Sequence, residues 1–180
     1  MLKKLFGHFR TITKHRHKVM LHCFKAGIPI RGLLHDLSKY TPTEFYQGVK
    51  YYSGDRSPNE GEREQNGYSR SWMRHKGRNL HHFEYWTDYN LKEHKVAPVK
   101  MPLKFVVEMF CDRVAASKIY QKEKYTDKSA LEYYQRRSDS RKIHPETAQF
   151  LEKLLYMLSE EGEEKTFSFI RSYMKNNDTY

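Results

Sequence analysis

The chain has few of the features that mark a secreted or membrane protein. Its 180 residues include only two cysteines, Cys23 and Cys111, so a disulfide framework is not expected and a reducing compartment is the default. No apolar run approaches the roughly 20 residues that a membrane-spanning helix needs. The basic N-terminal segment lacks the apolar core and the cleavage site of a signal peptide. We therefore expect a cytoplasmic protein with no membrane partner.

Acidic residues are also scarce relative to basic ones. Asp and Glu number 22 against 33 Lys and Arg, which gives a formal net charge of +11. Such an excess favours anionic partners, which are phosphorylated metabolites, nucleic acid or an anionic surface. Hydrophobic residues make up 38% of the chain and aromatic residues 14%, so the sequence is globular rather than disordered and is long enough for one domain with its own core.

Helical periodicity covers most of the chain, and no segment shows a convincing alternation of polar and apolar residues. The sequence therefore predicts an all-α, single-domain helical bundle. Residues 53–67 are a loop by composition, able to close over a substrate, and residues 88–101 are irregular. The core that holds the site spans about 10–120, and C-terminal helices over about 127–176 pack on it. The expected helices cover residues 9–26, 29–39, 42–52, 69–86, 102–120, 127–137, 145–161 and 163–176.

Three helix ends carry recognisable signals. Gly27 is suited to the position just after the first helix, where a left-handed backbone is common. Thr41 and Glu44 flank Pro42 at the spacing of a capping box, with Pro42 as the first helical residue. Ser69 can cap the helix that carries the next histidines.

Histidines and aspartates form the pattern with the most chemical content. His15, Val19 and Cys23 recur at four-residue spacing, so His15 shares the core-facing stripe of the first helix. His17 and His22 lie off this stripe and are expected in solvent. Asp112 lies on the apolar side of the most apolar helix of the chain.

His35 and Asp36 are adjacent, near the end of a helix whose leucines should exclude water. A His-Asp pair alone is close to chance, but a buried aspartate is costly unless it is paired or binds a metal. His75 and His82 are seven residues apart and share one face of the predicted fourth helix. On a helix His81 would point about 100° away from His82. The sequence therefore leaves open whether both histidines bind a metal directly or only one of them does.

Imidazole nitrogens and carboxylate oxygens are ligands for zinc, iron and manganese. Seven such ligands exceed the needs of one tetrahedral site and suit two ions, with Asp36 able to bridge them. The predicted cofactor is therefore one or two divalent transition-metal ions (Mn, Fe or Zn). The predicted ligands are His15, His35, Asp36, His75, His81, His82 and Asp112.

This order of ligands, H…HD…H…HH…D, resembles the HD-domain superfamily of metal-dependent phosphohydrolases, and in particular its multi-metal branch. The run His35-Asp36-Leu37-Ser38-Lys39 is similar to the HD-x-G-K motif of that superfamily, with Ser38 in place of glycine. The Gly-Tyr-Pro signature of the cyclic-di-GMP phosphodiesterases is absent. The runs "HDLSKYTPTEF", "RHKGRNLHHFEYW" and "EMFCDRVAAS" resemble more narrowly a family of short bacterial proteins of unknown function (DUF5662), over about residues 10–175. His15 is assigned from helical phase and this resemblance together.

The resemblance implies an HD-like fold and a phosphohydrolase that acts on a phosphorylated small molecule or nucleotide through a metal-activated water. Asp36 would orient this water and accept its proton, and Lys39 would stabilise charge on the phosphoryl oxygens. Basic and amide groups near the ligands are expected to bind the phosphate. These substrate-binding residues are Lys39, Lys76, Arg78, Asn79 and Arg113.

Two other functions stay open at this point. HD-type proteins with a similar ligand set hold two irons and activate dioxygen, and the sequence does not separate iron from zinc or manganese. A basic helical chain can also be a non-catalytic nucleic-acid-binding module, although its basic residues are spread along the chain and no helix-turn-helix or zinc-finger spacing is present.

Overall fold

A computed structural model describes residues 1–136 and 142–180. Within these residues the chain forms eight α-helices and one short antiparallel hairpin, which confirms the all-α prediction. The helices are α1 Leu2–Lys25, α2 Pro29–Leu34, α3 Pro42–Lys50, α4 Pro58–Asn66, α5 Arg70–Lys76, α6 Leu103–Gln121, α7 Ser129–Gln135 and α8 Pro145–Asn176. The strands are β1 Thr87–Asn90 and β2 Lys95–Pro98, and single 3-10 turns cover Leu37–Tyr40, Phe83–Tyr85 and Lys122–Lys124.

Helix α6 is the centre of the bundle. It is apolar on most of its circumference, and Val106, Phe110 and Val114 have no exposed surface, as expected of a helix surrounded by others. Helix α1 packs on one side of it and α8 on another. Leu151 and Leu154 of α8 are fully buried in the same core. The predicted helix over 102–120 is therefore confirmed to within one residue at each end.

The chain between α1 and α3 differs from the prediction. Gly27 follows α1 with φ 84°, as its position suggests, but α2 ends at Leu34 instead of residue 39. Leu33, Leu34 and Leu37 are 54%, 53% and 47% exposed, so these leucines do not exclude water from the His-Asp pair. The pair is buried because the chain breaks there and turns it inward.

The predicted loop over 53–67 is wrong in its second half, which forms α4. The predicted capping box at Thr41 is also wrong in its contacts. Helix α3 does begin at Pro42, but the Thr41 hydroxyl donates to the carbonyl of Ser38 at 2.6 Å instead of capping the helix. Glu44 is buried and points toward α5.

The predicted fourth helix over 69–86 is wrong beyond residue 76. Ser69 caps α5 as expected, accepting a hydrogen bond from the amide of Trp72 at 3.0 Å. The helix then ends at Lys76, and a turn and a 3-10 turn lead into the β1–β2 hairpin. This hairpin occupies the segment expected to be irregular and pairs Thr87 with Pro98. Most of its side chains are exposed, which explains the weak strand pattern.

The C-terminal helices pack on α6 and on one another. Helix α7 begins at Ser129 and ends at Gln135, so it is shorter than predicted, and position 137 lies outside the described residues. Helix α8 changes direction at Gly162, which has φ 81° and ψ 174°, a conformation that is essentially restricted to glycine. The two predicted helices over 145–161 and 163–176 correspond to its two parts. None of the described helices combines the length and the apolar content that a bilayer crossing requires.

Candidate metal centre

All seven predicted ligands meet between α1, the α2–α3 turn, α5 and α6. They form two groups of four residues, and in each group the ligand atoms lie within 4.8 Å of one another. Asp36 belongs to both groups. Site 1 consists of His15, His35, Asp36 and Asp112. Site 2 consists of Asp36, His75, His81 and His82.

Site 1 joins residues from three separate elements. Asp112 Oδ1 from α6 lies 2.9 Å from His15 Nε2 of α1 and 3.5 Å from His35 Nε2. Asp36 Oδ2 lies 3.2 Å from His35 Nε2 and 4.0 Å from His15 Nε2. An ion bound at about 2.1 Å from N and O ligands places those ligands about 3 to 4 Å apart. The spacings of site 1 therefore fit a divalent transition metal.

Site 2 uses the other oxygen of the same aspartate. Asp36 Oδ1 lies 3.3 Å from His75 Nε2 and 3.6 Å from His81 Nε2. The His82 ring is 4.9 Å from that of His75, measured between centroids. Trp72 packs edge-on against His82 at 4.7 Å. Both adjacent histidines thus face one site, because they lie in a turn rather than on a helix.

A left-handed residue brings His35 and Asp36 to the same place. His35 follows α2 with φ −56° and ψ 128°, and Asp36 has φ 53° and ψ 26°. Asp tolerates this region better than most residues do. In a continuous helix the two side chains would point about 100° apart. The break lets both reach the cluster, where they are 1% and 2% exposed.

The cluster leaves polar atoms without hydrogen bonds, although such atoms are almost always satisfied in folded proteins. Asp36 Oδ1 is buried with no hydrogen-bond partner among the described residues, and Asp36 Oδ2 is ion-paired with Lys39 but makes no well-aligned hydrogen bond. The Nε2 atoms of His15, His35, His81 and His82 also lack a well-aligned hydrogen bond. All of these atoms point toward the two sites. Each unsatisfied buried group costs about 1 to 3 kcal/mol, and a bound cation would remove that cost. The residues therefore can hold metal ions.

Glu108 orients one histidine of each site. Its side chain is fully buried on α6. Its Oε1 lies 3.0 Å from His35 Nδ1 and 3.4 Å from His81 Nδ1, and its Oε2 accepts from Arg31 Nε at 2.7 Å. A carboxylate at Nδ1 holds the proton there and leaves Nε2 free for a metal. Glu108 thus sets the same tautomer in both sites.

Glu44 does the same for a third histidine. Its Oε2 lies 2.8 Å from His75 Nδ1 and also accepts from the Ser38 hydroxyl at 3.0 Å. Asn79 donates to Ser38 Oγ at 3.1 Å and to the His75 carbonyl at 2.8 Å. The Ser38 position of the HD-x-G-K-like run therefore belongs to the network that orients His75.

Burial and charge act in opposite directions in this cluster. Burial alone would lower the pKa of His35, but the charges of Asp36, Asp112 and Glu108 outweigh it and raise this pKa well above its usual value. Burial would raise the pKa of Asp36, yet the neighbouring cations hold it well below its usual range. In Glu108 the hydrogen bonds from the histidines outweigh burial and lower the pKa to about 2. The carboxylates are therefore ionised at neutral pH.

A cavity of about 940 Å³ opens from the cluster and reaches the surface. Lys39, Lys76 and Arg113 line it together with ligands from both sites. Lys39 Nζ lies 2.6 Å from Asp36 Oδ2. Arg78 is exposed and is not among the described residues that line the cavity. Of the five predicted phosphate-binding residues, three face the cavity and Asn79 contacts the histidine network.

Sequence reasoning missed two carboxylates and one histidine. The local spacing of Glu44 predicts a helix cap. Glu108 has no local signal because its partners belong to other elements, with His35 lying 73 residues and Arg31 77 residues away in the chain. The expectation that His22 is solvated is wrong. It is 4% exposed, and its Nδ1 lies 3.3 Å from the Cys111 carbonyl. His17 is exposed, as predicted.

Comparison with known proteins places the chain in a family without assigning it an activity. No curated protein and no solved structure matches it significantly. One family model matches residues 4–157, a span that contains all seven clustered ligands together with Glu44 and Glu108. The chain therefore belongs to the family of unknown function DUF5662.

Proposed function

We propose that this protein is a metal-dependent phosphohydrolase of the HD type that acts on a phosphorylated small molecule or nucleotide. The observation that carries the proposal is Asp36, a buried carboxylate whose two oxygens each lie beside a different group of histidine Nε2 atoms. Such a centre suits two divalent ions, with Mn, Fe and Zn as the candidates. The order of the ligands in the chain supports this assignment, because it resembles that of the HD superfamily.

The cavity chemistry supports a phosphorylated substrate. A bound divalent ion supplies Lewis acidity, which polarises a phosphoryl oxygen and acidifies water at the site. Asp36 is ionised at neutral pH because its cationic neighbours lower its pKa, so its carboxylate can orient water by accepting a hydrogen bond. Lys39 and Arg113 line the same cavity and stabilise negative charge on the non-bridging phosphoryl oxygens.

Metal content is the direct test. Protein purified without nickel affinity or chelator is loaded with Mn, Fe or Zn and analysed for bound metal. Two equivalents are expected for the wild type, one for Asp112→Asn and one for His82→Gln, because each substitution removes a ligand of one site. Asp36→Asn should bind neither ion, since it removes the shared ligand while Asn still tolerates a left-handed backbone.

The exposed carboxylate Asp88 provides the matched control, and Asp88→Asn should retain both ions. A folded wild type that binds none of the three metals, or an Asp36→Asn variant that keeps both ions, would refute the metal centre.

Activity then separates the three functional classes. Metal-dependent release of inorganic phosphate from a panel of nucleotides and phosphomonoesters supports the hydrolase. Dioxygen consumption by the iron-loaded protein, with no phosphate released in any metal form, would replace the hydrolase by the oxygenase. DNA binding that persists in EDTA, in a protein that binds no metal, would identify a nucleic-acid-binding module instead.

A further inference from the structure

The N-terminal part of the chain has an unusual charge distribution. Residues 1–35 contain eight Lys and Arg and no Asp or Glu, so they account for +8 of the net charge of +11. Lys3, Arg10 and Lys14 are exposed on α1, and no carboxylate of the described residues is within ion-pair distance of them. This surface therefore carries positive charge that the fold does not neutralise.

Large apolar side chains are exposed among these cations. Leu2, Phe6 and Phe24 of α1 are 70%, 66% and 68% exposed. At about 100° per residue, Phe6, Arg10 and Phe24 lie on one side of the helix, which we call the outer face of α1. Exposed apolar residues grouped in this way mark interaction surfaces more often than singly scattered ones do.

The outer face points away from the metal centre. Residues on the opposite side of α1, including His15, are buried, and His15 is a ligand of site 1. The cavity is lined by that buried side, from His8 to His15. A partner on the outer face would therefore leave the cavity open.

Helix α2 extends the apolar surface. It lies directly on α1, as the space at Gly32 shows: a Cβ added there would be 2.9 Å from Met20 Cα. Arg16 of α1 also donates to the Leu33 carbonyl of α2 at 2.5 Å. Ile30 of α2 is 69% exposed, and Leu33 is more than half exposed as well. Helix α2 thus adds exposed aliphatic side chains directly beside α1.

We propose that the outer face of α1, together with the exposed leucines and Ile30 of α2, docks on an anionic lipid bilayer. Helices with basic residues beside Leu and Phe lie in the plane of such a surface, with the apolar side chains among the acyl chains and the cations near the lipid phosphates. No membrane-spanning run is needed for this mode. The expectation of no membrane partner considered only spanning segments.

Charge argues against a second copy of the chain on this surface, and the exposed apolar side chains argue against a nucleic acid. In a symmetric dimer the same patch faces itself, which would place cations against cations with no carboxylate from residues 1–35 between them. A nucleic acid would satisfy the cations, but its phosphate backbone offers no apolar contact to Leu2 or Ile30. An anionic bilayer satisfies both the charges and the apolar side chains.

The first experiment is vesicle co-sedimentation of the full chain in EDTA, so that the result does not depend on the metal centre. Phosphatidylcholine vesicles are compared with vesicles that contain one-third phosphatidylglycerol. Binding to the anionic vesicles only, weakening as salt rises, is the expected result. Equal binding to both vesicle types, or none to either, would overturn the proposal, as would binding to a DNA duplex without binding to vesicles.

Paired variants locate the surface. Leu2→Ser with Phe6→Ser should weaken binding at least about tenfold, because two apolar side chains no longer leave water. Leu91→Ser with Val96→Ser removes equally exposed apolar residues of the hairpin and should leave binding unchanged. If the hairpin pair weakens binding as much as the α1 pair does, α1 is not the docking surface.

A second pair tests the charges. Each basic side chain near an anionic surface contributes about fivefold to binding, so Lys3→Gln with Arg10→Gln should weaken it about 25-fold. Lys92→Gln with Lys128→Gln makes the same change of net charge elsewhere on the surface and should have little effect. Equal losses in both pairs would indicate attraction by overall net charge and would overturn a specific docking face. Metal content should be the same in all four variants.

Discussion

Glu108 couples the two sites, and replacing it with glutamine should weaken both. The wild-type carboxylate accepts from His35 and His81 through one oxygen and from Arg31 through the other. A glutamine has only one oxygen for these two directions. If the amide oxygen faces the histidines, its NH2 group opposes the Arg31 guanidinium and a charge-assisted hydrogen bond is lost.

If the NH2 group faces the histidines instead, it donates to their Nδ1 atoms. The imidazole protons then move to Nε2, which are the atoms that face the metal sites. Loss of such a supporting carboxylate typically costs 10- to 100-fold in metal affinity, or about 1.4 to 2.7 kcal/mol. Because His35 belongs to site 1 and His81 to site 2, Glu108→Gln should weaken both binding steps by this amount.

Competition titration with a chromogenic chelator measures both steps, and a thermal melt confirms that each variant is folded. Glu44→Gln should weaken site 2 alone, since Glu44 contacts only His75 of the ligands. Glu62→Gln is the matched control, because Glu62 is also buried but accepts hydrogen bonds from Ser69 and Ser71 and contacts no ligand among the described residues. The metal affinity of this variant should stay within about twofold of the wild-type value, far less than the loss expected for a carboxylate that supports a metal ligand. A Glu108→Gln protein that loses one step only, or neither, would refute the coupling.

Stability provides further tests, all by urea denaturation. Burial lowers the pKa of His22 to about 4. Between pH 6.5 and 4 the unfolded chain therefore binds a proton that the folded chain does not, and the free energy of unfolding falls as the pH falls. His22→Gln should reduce this fall by up to about 3 kcal/mol, and an unchanged pH dependence would contradict the burial of His22. Gly32→Ala should cost about 1 to 3 kcal/mol by overpacking, because its Cβ would lie 2.8 Å from Cys23 Cβ. Gly61 lies on α4, and a Cβ added there would meet nothing closer than 3.6 Å, so Gly61→Ala should gain about 0.5 to 1 kcal/mol of stability from helix propensity. If Gly61→Ala destabilises the protein more than Gly32→Ala does, the packing at Gly32 is refuted. Gly162→Ala should cost about 1 to 3 kcal/mol because of the backbone at this kink, and a neutral effect would show that the kink relaxes.

Two parts of the molecule illustrate what could be read directly from the sequence. The stripe of His15, Val19 and Cys23 predicts the buried side of α1 because helical phase is a local property, and all three residues are buried. The apolar run of α6 likewise predicts the most apolar helix of the chain, with Asp112 on its apolar side. The ligand types at all seven clustered positions follow from residue chemistry alone.

Other features were wrong or invisible because they depend on contacts between distant segments. His75 and His82 were expected to meet on one helix face, but α5 ends between them at Lys76 and a turn brings their rings together. Glu44 was assigned to a cap because its local spacing fits one, yet packing of α3 on α5 gives it a stronger partner in His75, 31 residues away.

The sequence by itself determined that this is a basic, helical protein with seven potential metal ligands, because composition, apolar period and ligand chemistry are properties of single residues and their near neighbours. The sequence also suggests that Asp36 bridges two sites, but only the tertiary structure decided how the ligands of separate elements reach it. That arrangement requires a left-handed backbone at Asp36 and carboxylates of two other helices behind the histidines. Such geometry arises from the packing of separate elements, which no local pattern specifies.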